Sequence, residues 1–199
     1  MATVDRRTQT LWYPMRITYG RVERMLHFQE LLEKEKLEYF LPMRCEFQKT
    51  IDWDVRKEFV PAIHGLIFIH SSQAHLTELK MTRREFAPMH YWTNLFSTGE
   101  HDKLLVVPDR QMENFKSAYT KYDERVSLLE YTDFIAKPGK RVRIVQGDFE
   151  NTVGTIKRIK KNQCVIVEIE GVAAIAITFV PPSWLQEITE SEYQKFMHG

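Results

Sequence analysis

The sequence predicts an α+β protein in two parts, a mixed, mainly antiparallel sheet with helices packed on it and then a small β-barrel. Strand and helix periodicities alternate from residue 11 to about residue 121, which predicts helices covering a sheet. Beyond Lys137-Pro138-Gly139 only strand patterns recur, at the short intervals typical of small barrels. We therefore predict a first domain at 1–130, a linker at 131–137 and a second domain at 138–199.

The first domain combines amphipathic helices with one very apolar strand. Apolar residues recur at helical spacing from about 21 to 36, with charged residues on the other face. Ser71 and Ser72 offer an N-cap to a second helix, and Pro108 suits the first turn of a third. The predicted elements are strands at 11–17, 37–47, 59–70, 91–96 and 103–107, a hairpin end or loop at 51–57, and helices at 21–36, 73–80 and 109–121.

The second domain begins with two short strands joined by a glycine-containing turn, in residues 137–161. Val142 and Ile144 alternate with Arg141 and Arg143, the period of two expected of a half-buried strand. A glycine inside such a strand often marks a bulge or a sharp bend. The predicted strands run over 140–146, 153–160, 163–169 and 172–180, and Pro181-Pro182 ends the last of them.

Composition excludes several classes of protein. The 199 residues are 43% hydrophobic, which is ordinary for a globular protein. There are 28 Lys and Arg residues and 27 Asp and Glu residues, so the net charge is +1. This charge does not indicate that the chain as a whole binds nucleic acid. The polar start is unlike a signal peptide, and no apolar run approaches the roughly 18 residues of a membrane span. We expect a cytoplasmic protein.

Cys45 and Cys164 lack a CxxC spacing, so we expect them to be small buried hydrophobic residues and not metal ligands.

No pattern in the sequence indicates an enzyme. A GxSxG elbow, a P-loop and a GxGxxG fingerprint are all absent. The histidines do not fall at a metal-binding spacing, and no carboxylate pair suggests acid–base catalysis. We expect no catalytic activity, no metal and no cofactor. The histidines considered are His64, His70, His75, His90 and His101.

The start of the second domain resembles the KOW motif. That motif has a lead-in glycine, an alternating V-x-I strand, a G-x-F turn and a glycine before the second strand. The matching segment is Pro138-Gly139-Lys140-Arg141-Val142-Arg143-Ile144, then Gly147-Asp148-Phe149 and Gly154-Thr155-Ile156. The matching positions are Gly139, Val142, Ile144, Gly147, Phe149 and Gly154.

The preceding residues are similar to the amino-terminal (NGN) domain of NusG-type transcription factors. Leu11-Trp12-Tyr13, a helix after Tyr19-Gly20 and Tyr39-Phe40-Leu41-Pro42 occur in that family's order. Val60 to Ile69 corresponds to the family's F-P-G-Y-V-L-V strand but departs from its Pro-Gly-Tyr triplet. Together with Val107 to Phe115, this segment is closest to the UpxY branch, whose members regulate capsular polysaccharide operons of Bacteroidales.

The resemblance implies an NGN domain followed by an SH3-like KOW barrel in a monomeric transcription antitermination and elongation factor. Relatives bind the clamp helices of the RNA polymerase β′ subunit through an apolar depression of the NGN domain, which suppresses pausing and permits read-through, here of polysaccharide biosynthesis operons. The KOW domain of relatives binds termination factor Rho or a small-subunit ribosomal protein. Contact with non-template DNA or nascent RNA is also expected from the resemblance.

Two sets of residues match the family's contact positions. For each set a structural alternative stays open: the apolar residues also suit a sheet core, and the basic residues also suit a solvated helix face. The residues assigned to RNA polymerase binding are Trp12, Tyr13, Phe59, Val60, Ile63 and Leu66. Those assigned to nucleic acid are Arg21, Arg24, His27, Arg83 and Arg84.

An RNA- or ribosome-binding KOW protein without polymerase docking is the alternative function. The basic run Lys157-Arg158-Lys160-Lys161 suggests it, although strand alternation would divide these side chains between two faces. From residue 137 onward, nine Lys and Arg stand against seven Asp and Glu. This small excess gives the alternative only limited support.

Overall fold

The computed structural model describes residues 8–18, 22–49, 55–93, 104–120, 125–129, 139–159 and 162–198. These residues belong to two compact units that divide between Val106 and Val107. Each unit combines antiparallel strands with helices, so the predicted α+β class is confirmed.

The first unit is built on a four-stranded antiparallel sheet with the strand order β2-β5-β1-β6. A separate antiparallel hairpin, β3-β4, precedes the central strand β5. The elements are β1 (Thr10–Ile17), α1 (Val22–Lys34), β2 (Glu38–Phe40), β3 (Met43–Lys49), β4 (Val55–Pro61), β5 (Leu66–Ser72), α2 (Gln73–Thr82), a 3-10 turn (Arg84–Phe86) and β6 (Met89–Tyr91).

Both faces of the central strands in this sheet are buried. On one face, Tyr13 and Met15 of β1 and Ile67 of β5 join a core cluster with Phe28 of α1 and Leu76 of α2. On the other face, the backbone register sets Trp12 opposite His70 and Pro14 opposite Phe68. The continuous apolar run of β5 is explained by this two-sided burial, as the sequence predicts.

The second unit contains a six-stranded antiparallel sheet with the order β12-β8-β9-β10-β11-β7. Helices α3 and α4 pack together, and α3 also contacts β10 and β11. The elements are α3 (Asp109–Tyr119), β7 (Val126–Leu129), β8 (Arg141–Ile144), β9 (Val153–Ile159), β10 (Asn162–Ile169), β11 (Ala173–Thr178), a 3-10 turn (Pro182–Trp184), β12 (Leu185–Glu187) and α4 (Glu190–His198).

Helix α3 is fixed to the second unit by a buried asparagine. The Asn114 side-chain amide donates to the Val153 carbonyl at 2.8 Å, and its carbonyl oxygen accepts from the Val153 N–H at 2.9 Å. Gln111, one turn earlier, donates to the Glu168 carbonyl of β10 at 3.2 Å. The compact units therefore divide before α3, whereas the predicted first domain extended to residue 130.

Helix α4 begins with a capping box formed by Thr189 and Glu192. The Thr189 hydroxyl accepts from the Glu192 N–H at 3.2 Å, and a Glu192 carboxylate oxygen accepts from the Thr189 N–H at 2.7 Å. This reciprocal pair satisfies two donors at the helix start. Tyr193 and Met197 then lie on the buried side of α4, against Val153.

Several predicted elements need correction. The expectation that only strands follow residue 137 is wrong, because α4 ends the described chain. Neither β7 nor β12 is predicted by the sequence. Residues 104–107 form isolated bridges at Leu104 and Val107 and no strand, and Leu104 pairs with Thr93. Of the predicted hairpin end or loop at 51–57, residues 55–57 belong to β4 and residues 51–54 lie outside the described residues. The predicted linker at 131–137 also lies outside them.

Replacing Asn114 should destabilise the second unit. Asn114→Ala would leave the buried Val153 N–H and C=O without their partner, a loss of about 2–4 kcal/mol in the free energy of unfolding. Urea denaturation of the full chain, followed by circular dichroism, measures this loss. Ser117→Ala, on the exposed side of the same helix, should change the stability by less than about 0.5 kcal/mol. Equal effects of the two substitutions would contradict the role of Asn114.

Acidification should weaken the packing of α4. Hydrogen bonds from Arg141 lower the pKa of Glu190, and hydrogen bonds from Thr189 lower the pKa of Glu192. Since a lowered pKa stabilises the folded state above the ordinary carboxyl value, this stabilisation is lost as pH falls through the lowered values. NMR resonances of Tyr193 should therefore broaden or shift below about pH 4.

The matched variants for this titration remove one carboxylate each. Glu192→Gln should reduce the pH dependence of the Tyr193 resonances, because the charged side of the capping box is gone. Glu150→Gln removes a carboxylate from the turn between β8 and β9 and should leave the titration as it is. A profile that is identical in the wild type and Glu192→Gln would exclude the capping box as the cause.

Candidate functional site

Five of the six residues assigned to polymerase binding are at least half-buried. Tyr13 and Leu66 are almost fully buried, and Trp12 and Val60 are exposed by only 4% and 8%. Ile63 is half-buried. Phe59 alone of the six is well exposed, at 53%.

Trp12 and Tyr13 lie on opposite faces of β1. Trp12 stacks on the His70 ring with centroids 4.7 Å apart, and His70 Nδ1 is 2.8 Å from a Glu38 carboxylate oxygen. Tyr13 points to the helix-covered face, where its ring meets Tyr91 edge-on at 5.8 Å. Burial raises the pKa of the Tyr13 phenol. Because adjacent strand residues point to opposite faces, these two rings cannot belong to one flat docking surface.

The hairpin β3-β4 presents Phe59 to solvent. Phe59 lies directly opposite Cys45 in the strand register, and both residues are exposed. Lys57, two residues before Phe59, is on the same face and is also exposed. We define Cys45, Lys57 and Phe59 as the Phe59 face. It combines an exposed aromatic ring with a cationic side chain.

The residues assigned to nucleic acid do not form one basic patch among the described side chains. Arg83 forms an ion pair with Glu35, and its guanidinium lies 5.4 Å from the Phe86 ring centre. Arg84 is exposed. His27 is exposed and lies 3.5 Å from Glu30. Of the remaining two assigned residues, Arg21 lies outside the described residues, as does the side chain of Arg24.

The glycines of the KOW-like segment occupy places that admit no side chain. A Cβ on Gly139 would lie 2.1 Å from the Ile156 carbonyl oxygen, and one on Gly154 would lie 2.5 Å from the Ile166 carbonyl oxygen. Gly147 has a φ of +83° and lies against the Trp184 ring, 2.3 Å from where its Cβ would be. The apolar positions of the segment, Val142, Ile144 and Phe149, are all buried.

Arg141 is the centre of an ionic and aromatic network that the sequence did not reveal. Its guanidinium donates to Glu190 at 2.8 and 3.3 Å and to the Thr155 hydroxyl at 2.5 Å, and it lies 3.5 Å from Glu168. The Tyr193 ring centre is 3.9 Å from the guanidinium carbon. Burial, with a smaller opposing contribution from Arg141, raises the pKa of Tyr193 to about 12. The capping-box spacing of Thr189 and Glu192 is the sequence signal that would have predicted the helix behind this network.

The basic run of the alternative hypothesis is only partly described. Lys157 is half-buried and Arg158 is exposed, while residues 160 and 161 lie outside the described part of the chain. The described part contains no group of three His, Cys, Asp or Glu side chains suited to a metal ion. Its helices are all too short or too polar to cross a membrane.

A scan against protein-family models and a search of curated proteins both return no match to this chain.

The glycine positions lead to a prediction for the second unit. Gly154→Ala places a methyl group against the Ile166 carbonyl oxygen and the Val165 side chain, so the backbone of β9 or β10 must shift. We expect a loss of about 3 kcal/mol or more and a lower melting temperature in calorimetry. Ser183→Ala, on the exposed 3-10 turn of the same unit, should have little effect. Full stability of Gly154→Ala would show that the strands are not packed this closely.

Proposed function

We propose that this chain is a transcription antitermination and elongation factor of the NusG type, with an NGN-like first unit and a KOW-like, SH3-like second unit. The first unit binds RNA polymerase at the β′ clamp helices, and the bound protein promotes read-through of polysaccharide biosynthesis operons. The second unit binds a further partner, Rho or a small-subunit ribosomal protein. No catalytic step is part of this function.

One observation carries the proposal: the KOW-like glycines fall where the backbone requires them. Gly139, Gly147 and Gly154 each take a place that a larger residue would fill with a clash or with backbone strain. The motif places these glycines around two paired strands, and β8 and β9 pair in this way. Five of the six strands in the sheet, in the order β12-β8-β9-β10-β11, support the same assignment, because a small barrel formed by consecutive strands has this order of neighbours. Strand β7 is added beside β11.

Phe59 is the residue best placed for polymerase docking. An exposed aromatic ring buries a large rigid area when a partner covers it, and such rings dominate binding energy at protein interfaces. The other five residues assigned to docking are at least half-buried, so a partner reaches them less readily than it reaches Phe59. Val60, which follows Phe59, points inward and anchors β4.

Substitution of Phe59 tests the docking surface. Phe59→Asp should weaken binding of the full chain to immobilised β′ clamp helices by at least about tenfold, because the ring is lost and a charge is buried in its place. Phe59→Leu should retain most of the binding. Met81→Asp is the matched control, since Met81 is also apolar and is 81% exposed on α2.

The same experiment separates the proposed function from the alternative. If clamp helices bind wild type and Phe59→Asp equally, the proposed surface is wrong. If they bind neither protein, while RNA binds in a salt-sensitive manner, the RNA- or ribosome-binding alternative takes its place. Read-through of a terminator placed upstream of a reporter gene then provides the functional measurement.

A further inference from the structure

The C-terminal segment places carboxylates on Arg141 of β8 and on Lys140, the residue before it. Lys140 contacts Glu187 at 2.5 Å, and Arg141 binds Glu190 through two nitrogens. Residues 139–159 carry five Lys and Arg against two carboxylates, whereas residues 185–198 carry three carboxylates against one lysine. The segment from β12 through α4 therefore complements β8 in charge.

The same segment also places aromatic rings on the two arginines of β8. The Tyr193 ring centre is 3.9 Å from the Arg141 guanidinium carbon, and the Phe196 ring centre is 5.7 Å from that of Arg143. Arginine planes stack on aromatic rings and on nucleobases alike. Carboxylates and rings therefore lie together on the basic side chains at the start of β8. Phosphates and bases of a nucleic-acid strand supply the same two kinds of group.

The match between α4 and this surface is incomplete at Arg143. Its Nε atom is buried and has no hydrogen-bond acceptor among the described residues. Arg141, two residues earlier on the same face of β8, donates hydrogen bonds to Glu190 and Thr155 and forms an ion pair with Glu168. A buried guanidinium donor without an acceptor is costly. Glu192 of α4 attracts the Arg143 guanidinium but gives its Nε atom no hydrogen bond. An anionic ligand that placed an oxygen at this atom would complete the contact.

We propose that α4 is an internal occupant of an arginine-lined site on β8, and that this site binds single-stranded nucleic acid when α4 leaves it. One phosphate takes the place of the Glu190 carboxylate, and another supplies the missing acceptor at Arg143. Bases take the places of the Tyr193 and Phe196 rings. The inference concerns the second unit and does not depend on polymerase docking by Phe59.

Release of α4 in the full chain tests this proposal. The probes are fluorescein-labelled 12-nucleotide oligouridylate and oligodeoxythymidylate, followed by anisotropy at low and high salt. Glu190→Gln combined with Glu192→Gln weakens the charged contacts and the capping box, and Met197→Asp separately disrupts the apolar side of α4. Each release variant should bind at least one probe tenfold or more tightly than the wild type. The preferred probe distinguishes RNA from DNA as the source of the strand.

Controls separate this site from non-specific attraction. Arg143→Gln added to the double glutamine variant should abolish the gain, whereas Glu150→Gln alone, which also removes one carboxylate, should produce no gain. Circular dichroism establishes that each variant is folded. The double glutamine variant leaves no cavity, so it remains informative if Met197→Asp unfolds.

Three results would overturn the proposal. Affinity unchanged in both release variants would show that α4 covers no such site. A gain that survives Arg143→Gln would place the binding elsewhere. Binding of a labelled peptide copy of residues 187–198, without binding of either oligonucleotide, would indicate an acidic helix of a partner protein as the occupant.

Discussion

The structure depends on central strands that are buried on both faces. In the first unit, β5 is buried along most of its length, and in the second unit the residues from Ala173 to Ile177 of β11 are all buried. A strand of this kind cannot face water on either side, so helices must cover the sheet. Helices α1 and α2 cover one face of the first sheet, and α3 packs on β10 and β11 of the second. The positions of the helices therefore follow from the strands.

Local signals explain which elements the sequence predicts correctly. The start of α2 is predicted because its cap is local: the Ser72 hydroxyl accepts from the His75 N–H at 3.2 Å. Helix α1 and the buried run of β5 are predicted because periodicity depends on neighbouring residues. The capping box of α4 is equally local. However, α4 has only nine residues, which give a weak helical periodicity, and the strand patterns that precede it favour strands alone.

Long-range contacts explain what the sequence does not predict. Asn114 and Val153 are 39 residues apart, and no pattern within α3 indicates that its buried asparagine binds the backbone of β9. Trp12 and Tyr13 are adjacent in the sequence and were assigned to one docking surface, yet β1 turns them to opposite faces. Phe59 differs from the other five residues assigned to polymerase binding in the exposure of its side chain, which is a property of the folded hairpin. The sequence therefore identifies candidate residues, and the structure decides which of them a partner can reach.

The contacts of α4 with Arg141 and Arg143 suit a regulatory role of this helix better than a stabilising one. An exposed ion pair contributes little to folding, so the contact of Lys140 with Glu187 is not needed to hold β12 in place. Tyr193 and Met197 of α4 pack in a buried apolar cluster with Val153. Leaving the Nε atom of Arg143 without an acceptor lowers the stability of the docked state without preventing it. A helix held by apolar contacts over an incompletely satisfied basic strand can be displaced by a ligand with one better-placed anion, because the ligand gains at Arg143 what the helix does not.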